Sequence, residues 1–376
     1  MLVGIDASRA SAAHRTGTEN YSLHLIRELL ALNEKHRFRL YFREPPAPGL
    51  FPYRAEQRVI PMPRLWTHVG LSWEMFTHPP DLLFVPSHVL PLVHPPASVV
   101  TVHDLGYHYF PQAHTLSQNL YLRWSTRHNA RSAQRVLADS DATRRDLIRL
   151  YGIPQAKVDV VYPGRDESLA PVHDPLLRDA VQARYGCRTP YILYLGTLHP
   201  RKNLVRLVQA FGQLRSRASE TEYPLDQLQL VLAGQKGWLY QDIFSEVRRL
   251  GLEGHVIVTG YVADEDLPAL LSGAEAFAFP SLYEGFGFPV LEAMACGVPV
   301  VCSSTSSLPE VAGDAALLVE PRQVEAIAST LFRLLTEPDL RRALVGRGFA
   351  QAERFSWRRC AQEAMAAFEQ VAGASG

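Results

Sequence analysis

Short apolar runs rich in β-branched residues recur along the 376-residue chain, and most are followed by apolar positions at helical spacing. This alternation predicts an α/β fold in which crossover helices join parallel strands. In the first half, the predicted strands are 2–7, 38–42, 81–86, 99–103, 135–138 and 158–162, and the predicted helices are 20–32 and 115–132. In the second half, the predicted strands are 191–195, 229–233, 256–259, 276–279, 298–302 and 316–319, and the predicted helices are 204–214, 264–271, 288–295 and 324–335.

The pattern breaks once in mid-chain and once near its end. Residues 163–175 contain Pro, Gly, Asp and Ser with few apolar positions, which is typical of a linker. We therefore predict two doubly wound domains, residues 1–167 and 168–356, facing a cleft beside the carboxyl ends of their strands. A second break near residue 355 precedes a last helix, 357–376, which we expect to pack back onto the first domain.

Composition excludes several functional classes. The 38 basic and 38 acidic residues balance, so non-specific nucleic-acid binding is not indicated. No apolar run is long enough to span a bilayer, and the start of the chain lacks the pattern of a signal peptide, so we expect a cytoplasmic protein. The four cysteines form no CxxC pair, which favours buried free thiols over a zinc site or a disulfide framework.

The most informative motif is the run Pro280–Glu292, which follows a predicted buried strand and opens a helix. Gly285 and Gly287 allow the backbone to approach a ligand closely, and free amides at a helix start suit a phosphate. Glu284 and Glu292 could accept hydrogen bonds from hydroxyl groups of a bound sugar nucleotide. The alternative is a tight turn with solvated or capping acids, and the completeness of the run argues against it.

A second motif, Gly196–Asn203, also lies between a predicted strand and a helix. Arg201 and Lys202 place two positive charges where a diphosphate could bind, and such charges stabilise a leaving nucleotide. The alternative is a solvated basic pair with Asn203 as a helix cap. Two motifs at strand ends of one domain favour the functional interpretation.

The first domain offers two weaker candidates. The loop after the first strand reaches Gly17 through Arg15 and Thr16, and Gly17 could present amide groups to a ligand, although an ordinary loop glycine accounts for it nearly as well. His103 ends a hydrophobic strand, where it could bond a sugar hydroxyl or assist proton transfer, with Asp104 orienting it or approaching an acceptor. A purely structural histidine is the alternative.

Three further patterns favour ordinary structural roles. The acids 264–266 resemble a metal-binding DxD motif, but they open a helical pattern and favour helix-start chemistry, so we predict no metal site. Trp66 and Trp73, near His68 and His78, form only a weak acceptor-site candidate because buried aromatic residues are commoner. Four arginines spaced four apart, at 123, 127, 131 and 135, would form a basic stripe, for which a solvated face is favoured over membrane contact.

Together the motifs resemble those of the GT-B glycosyltransferases of family 4. The run from Glu284 to Glu292 looks like that family's E-x7-E signature, and Gly196 to Asn203 resembles its diphosphate motif. The Gly17 loop, His103-Asp104, Tyr162-Pro163-Gly164 and Gly260-Tyr261-Val262 occur in the same order, so the resemblance covers nearly the whole chain.

The resemblance implies a role for each matching residue. Glu284 would contact the donor sugar, Glu292 the ribose hydroxyls, and His103 an outer sugar hydroxyl. Arg201 and Lys202 would neutralise the diphosphate. The remaining donor-binding positions would be Gly17, Tyr261, Val262, Ser281, Gly285, Phe286, Gly287 and Phe288. Enzymes of this family resemble one another in needing neither metal nor cofactor.

The resemblance also implies a retaining transfer, with departures at two positions. Thr197 stands where many relatives have an arginine, and Pro163 precedes Gly164 where a Pro-Asn-Gly is frequent. The motifs look most like those of bacterial mannosyltransferases that use GDP-mannose and build surface polysaccharides on glycan or lipid-linked acceptors, some of them at the inner membrane surface. A UDP-sugar donor, a sugar-nucleotide epimerase and a non-catalytic nucleotide-sugar-binding protein are the alternatives.

Overall fold

The computed structural model describes residues 1–12, 17–32, 35–51, 55–87 and 89–373. The chain divides into two compact units. The first unit comprises Met1–Gly164 together with Phe355–Gly376, and the second unit comprises Arg165–Arg354. None of the helices in these described ranges is long and apolar enough to cross a bilayer.

A seven-stranded sheet forms the centre of the first unit. Its order is β3-β2-β1-β4-β5-β6-β7, and all its neighbouring strands are parallel. β4 and β5 are buried along their whole length, as expected for a parallel sheet covered on both faces. The strands are β1 Leu2–Asp6, β2 Arg37–Phe42, β3 Glu56–Val59, β4 Leu82–Val85, β5 Ser98–Val102, β6 Arg135–Ala138 and β7 Val158–Val160.

The helices of the first unit have clear local signals. Thr115 and Gln118 form a reciprocal capping box at the start of α4, and the Ser140 hydroxyl caps α5. A π-helical turn, Trp66–Leu71, runs directly into α2. The helices are α1 Gly17–Leu32, α2 Ser72–Thr77, α3 Gly106–Tyr109, α4 Leu116–Ser132 and α5 Asp141–Tyr151.

The second unit repeats this architecture with a six-stranded parallel sheet of order β10-β9-β8-β11-β12-β13. The strands are β8 Tyr191–Leu195, β9 Gln229–Ala233, β10 Val256–Gly260, β11 Ala276–Phe279, β12 Val300–Ser303 and β13 Ala316–Val319. The helices are α6 Pro175–Arg184, α7 Leu204–Ser216, α8 Gln241–Arg249, α9 Leu267–Ser272, α10 Phe288–Ala295, α11 Leu308–Ala312, α12 Val324–Thr336 and α13 Pro338–Glu353. The predicted α/β class with two doubly wound units is confirmed.

The last helix, α14 Trp357–Gly373, returns to the first unit and packs against α1. The Trp357 ring stacks on His24 at 5.2 Å and meets Tyr21 edge-on at 5.8 Å. All four cysteines are buried free thiols, as predicted.

The strand order of the second unit places two loops side by side. The order reverses between β8 and β11, so the chain leaves these neighbouring strands toward opposite sides of the sheet. Such a switch point is where open α/β sheets bind ligands. The loops that follow β8 and β11 are 196–203 and 280–287, the two motifs singled out in the sequence.

Candidate active site

Direct hydrogen bonds hold the two loops of the second unit together. The Leu282 amide donates to the Arg201 carbonyl oxygen at 2.9 Å. The Arg201 guanidinium returns a bond to the Tyr283 carbonyl oxygen at 3.2 Å. Loop 196–203 and loop 280–287 therefore form one rigid surface rather than two independent turns.

Asn203 reinforces this surface and does not cap α7. Its backbone is left-handed, with φ of 63°, which asparagine tolerates better than most residues. Its side-chain amide donates to the carbonyl oxygens of Pro280, at 3.0 Å, and Pro321, at 2.6 Å. The capping alternative considered for Asn203 is wrong, because the side chain makes no cap hydrogen bond and instead ties three loops together.

A buried ion pair lies on this surface. Lys202 Nζ donates to Glu284 Oε1 at 2.6 Å, and Arg201 Nη1 lies 3.9 Å from Glu284 Oε2. Glu284 is only 7% exposed. Burial raises the pKa of Glu284, but the charges of Lys202 and Arg201 outweigh it and bring this pKa below its ordinary value. Glu284 is therefore an ionised hydrogen-bond acceptor at neutral pH.

Two serines that no sequence motif indicated, Ser306 and Ser307, fix the backbone of Glu284. Its amide donates to Ser306 Oγ at 3.0 Å, and the Ser307 hydroxyl lies 3.0 Å from its carbonyl oxygen. Ser307 Oγ also lies 2.6 Å from the Phe286 carbonyl oxygen. The serines follow β12, the neighbour of β11, and only that strand adjacency could have pointed to them.

The start of α10 follows a glycine in the left-handed region. Gly287 precedes the helix with φ of 117°, a conformation that other residues rarely adopt, and a β-carbon there would lie 2.6 Å from Leu308 Cδ2. Phe288 and Pro289 begin the helix, where Pro289 has no N–H to donate, and the Val290 amide donates to the Gly287 carbonyl oxygen at 3.0 Å. The Phe286 and Phe288 rings pack edge-on at 5.0 Å.

Ser281 is another predicted donor-binding residue of this loop. It is fully buried at the end of β11, next to Pro280. Gly285, Phe286 and Gly287 of the same loop are buried as well, so burial does not separate Ser281 from them.

Glu292 lies farther along α10, in an acidic environment. Burial raises its pKa to about 7, and the negative charges of Asp166 and Asp264 add to the effect. This carboxyl group exchanges its proton near neutral pH, in contrast to Glu284, which stays ionised.

The loop after β10 contains the predicted base-binding residues. Gly260 has φ of 74°, and its carbonyl oxygen accepts from the Gly234 amide at 2.8 Å, which joins this loop to the one after β9. Tyr261 is exposed and its hydroxyl donates to Asp264 at 3.2 Å, while Val262 is buried. The loop is thus held from its backbone, with one aromatic ring open to solvent.

The acids 264–266 are only partly explained by helix-start chemistry. α9 begins after Asp266, but this side chain makes no cap hydrogen bond. It accepts two bonds from the Arg184 guanidinium, at 2.7 and 2.6 Å, and one from the Tyr185 hydroxyl at 2.8 Å. Asp266 therefore anchors the end of α6 rather than capping α9.

His199 is a neutral imidazole within the basic loop. Burial, followed by the charges of Lys202 and Arg201, lowers its pKa to about 4.

The residues just before His199 pack against Gly237. A β-carbon at Gly237 would lie 2.8 Å from the Leu198 carbonyl oxygen and 3.0 Å from the Thr197 methyl group. The loop after β9 thus packs closely on the position where Thr197 replaces the arginine frequent in the family.

In the first unit, His103 is held by two acceptors. Its Nδ1 lies 2.7 Å from Asp139 Oδ2, and its Nε2 lies 3.2 Å from the Pro86 carbonyl oxygen. Burial lowers the pKa of His103, but the charge and hydrogen bond of Asp139 outweigh it and raise this pKa above its ordinary value. Because both ring nitrogens face acceptors, the geometry favours the doubly protonated imidazolium.

Asp104 does not orient His103, contrary to one of the two roles predicted for it. Its Oδ1 accepts from the Gly106 amide at 2.8 Å, at the start of α3. The orienting carboxylate is Asp139, which follows β6 as His103 follows the neighbouring strand β5. The pairing of β5 with β6 brings these two residues together, and this pairing cannot be read from the sequence.

The remaining candidates in the first unit lie in contrasting environments. Gly17 is the exposed first residue of α1, and Arg15 and Thr16 before it lie outside the described residues. Trp66 is a core residue whose indole donates to the Ile60 carbonyl oxygen at 2.9 Å, so it offers no ring face to a ligand. Trp73 is exposed.

Comparison with known proteins supports what the fold and the site indicate. The family model described as "Glycosyl transferases group 1" matches residues 184–350, and the model described as "Glycosyltransferase Family 4" matches residues 15–169. The O-antigen chain mannosyltransferase B of Escherichia coli is 37% identical over 272 residues, which cover 72% of this chain and 70% of that protein.

Solved structures share the fold across the whole chain. A sucrose-phosphate synthase from Thermosynechococcus elongatus aligns with a TM-score of 0.76 at 20% identity, covering 99% of both chains. HepE of Anabaena, solved with UDP and glucose, aligns with a TM-score of 0.74 at 20% identity, covering 98% of this chain and 99% of that one. The fold and the paired strand-end motifs are those of a GT-B glycosyltransferase. This chain belongs to glycosyltransferase family 4, the glycosyl transferases of group 1.

Proposed function

We propose that this glycosyltransferase moves mannose from GDP-mannose, with retention at the anomeric carbon, to a glycan or lipid-linked acceptor of a cell-surface polysaccharide. The mannosyl assignment is supported by the 37% identical O-antigen mannosyltransferase. The donor-site assignment rests on one observation, the buried Lys202–Glu284 pair beside Arg201 at the β8/β11 switch point. Such a site combines cations for a diphosphate with an ionised acceptor for sugar hydroxyls.

In this proposal the residues of the second unit divide the donor among them. Arg201, Lys202 and the amides at the start of α10 bind the diphosphate, because cations and a helix N-terminus both stabilise anionic charge. Glu284 accepts hydrogen bonds from the mannosyl hydroxyls, Glu292 from the ribose hydroxyls, and the loop at Tyr261 holds the base.

The proposed transfer breaks the bond between the anomeric carbon and the diphosphate oxygen, and forms a bond from that carbon to an acceptor hydroxyl on the same face. The acceptor proton passes to the departing phosphate oxygen. Glu284 is proposed as a positioning carboxylate rather than a covalent nucleophile, since Lys202 and Arg201 already engage its two oxygens. A trapped glycosyl–Glu284 adduct would overturn this role.

We also propose that the reaction needs no metal ion. Two protein cations and a helix start can supply the positive charge that a divalent ion supplies in other transferases. Transfer that is unchanged after treatment with EDTA would support this; transfer that is lost with EDTA and recovered with Mg²⁺ or Mn²⁺ would contradict it.

The donor assignment is tested by calorimetric titration of the full chain with GDP, UDP and ADP in the absence of metal. We expect GDP alone to bind tightly, with Arg201→Ala weakening binding about tenfold or more, because a charge-assisted bond to a phosphate is lost. A preference for UDP would be consistent with a glycosyltransferase but would contradict GDP-mannose as the donor. Absence of binding by all three would contradict the donor site.

The stereochemical assignment requires a separate measurement. Proton NMR of the product formed from GDP-α-mannose should show an α-linked mannosyl group. A β-linked product would establish inversion and exclude the same-face mechanism. Consumption of donor sugar that does not depend on any acceptor would instead support the epimerase alternative.

A further inference from the structure

The second unit has a cavity at the end of its sheet opposite to the two motif loops. Those loops, 196–203 and 280–287, leave the carboxyl ends of β8 and β11, whereas Thr189, Glu275 and Pro299 line this cavity just before β8, β11 and β12 begin. We call it the amino-end cavity. β8 has five residues, so its two ends are roughly 13 Å apart. The amino-end cavity is therefore separate from the proposed donor site.

The amino-end cavity has the size of a small-molecule site. Its volume is about 480 Å³, and pockets for small ligands occupy ~300–1,000 Å³. Its floor consists of small residues, Gly273, Ala274 and Gly297, which leave space for a ligand.

Two helices supply the polar walls of the cavity. Arg178 and Gln182 come from α6, where a spacing of four residues puts them on one side of the helix. Arg341 and Arg342 come from the start of α13. Guanidinium groups thus reach the cavity from both helices.

Arg178 is a cation without a protein partner. It is half-buried, and its guanidinium makes no hydrogen bond or ion pair with any residue in the described part of the chain. The other two arginines are engaged, because Arg341 donates to Glu275 at 2.5 Å and Arg342 pairs with Asp339. A half-buried guanidinium that lacks a carboxylate favours a bound anion.

Gln182 presents an amide group to the same cavity. It is only 6% exposed, and its Oε1 accepts from the Thr189 hydroxyl at 3.2 Å. Its Nε2 lies against Gly273, where a β-carbon would be 2.8 Å away, and no described residue accepts a hydrogen bond from it. A buried N–H group without an acceptor is costly, so this nitrogen favours a ligand oxygen.

The lining favours an anion that also carries hydroxyl groups. Three arginines and two carboxylates line the cavity, which leaves an excess of one positive charge. The carboxylates, Asp179 and Glu275, accept hydrogen bonds and would repel a ligand that is anionic throughout. No aromatic ring lines the cavity, so a nucleobase would find no surface on which to stack.

We propose that the amino-end cavity binds a phosphorylated sugar. The phosphate binds the Arg178 guanidinium, and the sugar hydroxyls bond to Gln182 Nε2 and to the carboxylates of Asp179 and Glu275. An unphosphorylated sugar would leave Arg178 without an anion, and inorganic phosphate has no hydroxyl-bearing ring to reach the carboxylates. This inference concerns a second site and does not depend on the donor assignment.

The test is calorimetric titration of the full chain with mannose 6-phosphate, glucose 6-phosphate, mannose and inorganic phosphate, each with and without saturating GDP. We expect at least one sugar phosphate to bind about tenfold or more tightly than mannose and inorganic phosphate, with an affinity that GDP does not change. Arg178→Ala should weaken this binding about tenfold or more, because a charge-assisted bond to the phosphate is lost. Gln182→Met should weaken binding of the sugar phosphate but not of inorganic phosphate.

The matched control is Arg347→Ala, which removes an arginine of α13 that lies outside the cavity, 3.7 Å from the exposed Asp314. Its affinity for the sugar phosphate should equal that of the unchanged chain, and thermal unfolding of every variant shows whether the fold is retained. Arg201→Ala should weaken GDP binding and leave sugar-phosphate binding unchanged, so the two proposals fail independently.

Three results would overturn the proposal. The first is the absence of binding by both sugar phosphates, and the second is an equal loss of affinity in Arg178→Ala and Arg347→Ala. The third is displacement of the sugar phosphate by GDP, which would place it in the donor site. Inorganic phosphate or mannose that binds as tightly as the sugar phosphates would contradict the ligand class.

Discussion

The buried Lys202–Glu284 ion pair should affect both the stability of the second unit and its binding of a ligand. Two opposite charges removed from water stabilise a fold only while each has its partner, so the loss of one member costs more than the pair contributes. The Glu284 backbone is also fixed by two serines, because its amide donates to Ser306 Oγ and its carbonyl oxygen accepts from the Ser307 hydroxyl. The site is therefore preorganised, and its stability can be measured without a substrate.

Replacement of Lys202 by Met should lower the free energy of unfolding of the second unit by about 3–5 kcal/mol, because the buried carboxylate of Glu284 loses its partner. Urea denaturation at pH 7 measures this. Lys236→Met, at an exposed lysine, serves as the control, with little change expected. Equal stability of the two variants would show that the ion pair does not stabilise the second unit.

The contribution of Glu284 to stability should depend on pH. Since the pKa of Glu284 is lowered on folding, its contribution is present above the ordinary value of 4.5 and is lost as the pH falls through the pKa of the folded state.

Glu292 should make nucleotide binding depend on pH. Its pKa of about 7 means that the free protein retains this proton in mildly acidic solution, and a carboxylate that accepts ribose hydroxyls must release it. Binding of GDP should tighten from pH 6 to pH 7, by at most about tenfold per unit, and level off above. Calorimetry across this pH range measures the affinity for GDP. The affinity of the Glu292→Gln variant should not change with pH. An unchanged slope would assign the titration to another group.

Asp139 should control the protonation of His103. Asp139→Asn removes the charge and weakens the hydrogen bond that raise the pKa of His103, so burial dominates and that pKa should fall below its ordinary value of 6.5. NMR titration of the ring protons measures the shift directly. Asp104→Asn should lower the pKa of His103 less, because Asp104 acts on His103 through its charge alone and makes its hydrogen bond to the Gly106 amide. A larger effect from Asp104 would reverse the assignment.

Sequence patterns indicated the candidate-site residues that lie within one motif, but not the residues from other loops that contact them. Arg201, Lys202 and Glu284 lie in the loops after β8 and β11, whose apolar runs are clear in the sequence, and neighbouring parallel strands bring such loops together. Asp139 and Ser306 contribute through strand pairing and loop geometry, which leave no spacing signal in the chain.

At the level of elements, the strands whose bounds were predicted correctly are mostly those buried inside a sheet. β6, β8, β9 and β11 match their predicted bounds, and each is an inner strand of its sheet. The edge strand β13 also matches, although Leu318 in it is exposed. The edge strand β3 was missed, since all four of its residues are exposed and no apolar alternation results. α13 was missed because its apolar residues do not line one side of the helix. α8 was missed although its buried residues, Ile243 and Val247, stand four apart as in a helix. The short helices α2, α3 and α11 and the longer α5 and α6 were also not predicted.

Gly164 marks the place where the chain leaves the first unit and where it later returns. A β-carbon at this position would lie 2.1 Å from the Trp357 amide nitrogen and 2.6 Å from the Ser356 carbonyl carbon, and backbone atoms cannot move aside as a side chain can. Gly164→Ala should therefore lower the free energy of unfolding by about 1–3 kcal/mol or more. Thermal unfolding measures this against Gly254→Ala, where a β-carbon meets open space. Matching melting temperatures would contradict the close approach.

On the scale of the whole molecule, two units with unlike sequences share one topology. Each sheet reverses its strand order beside its first strand, at β1/β4 and at β8/β11. The repetition could be predicted because the alternation of apolar runs and helices restarts after residue 163. The order of strands within each sheet could not, because periodicity identifies a strand but not its neighbour.

The return of α14 to the first unit has a consequence for synthesis on the ribosome. The second unit is continuous in sequence, so all of it has left the ribosome before residues 355–376 appear. The first unit, although made first, lacks until the end the helix that covers α1 with Trp357. The later-made unit can thus complete its fold before the earlier one, and a chain that stops short of α14 leaves α1 uncovered, an exposed surface of the kind that chaperones bind.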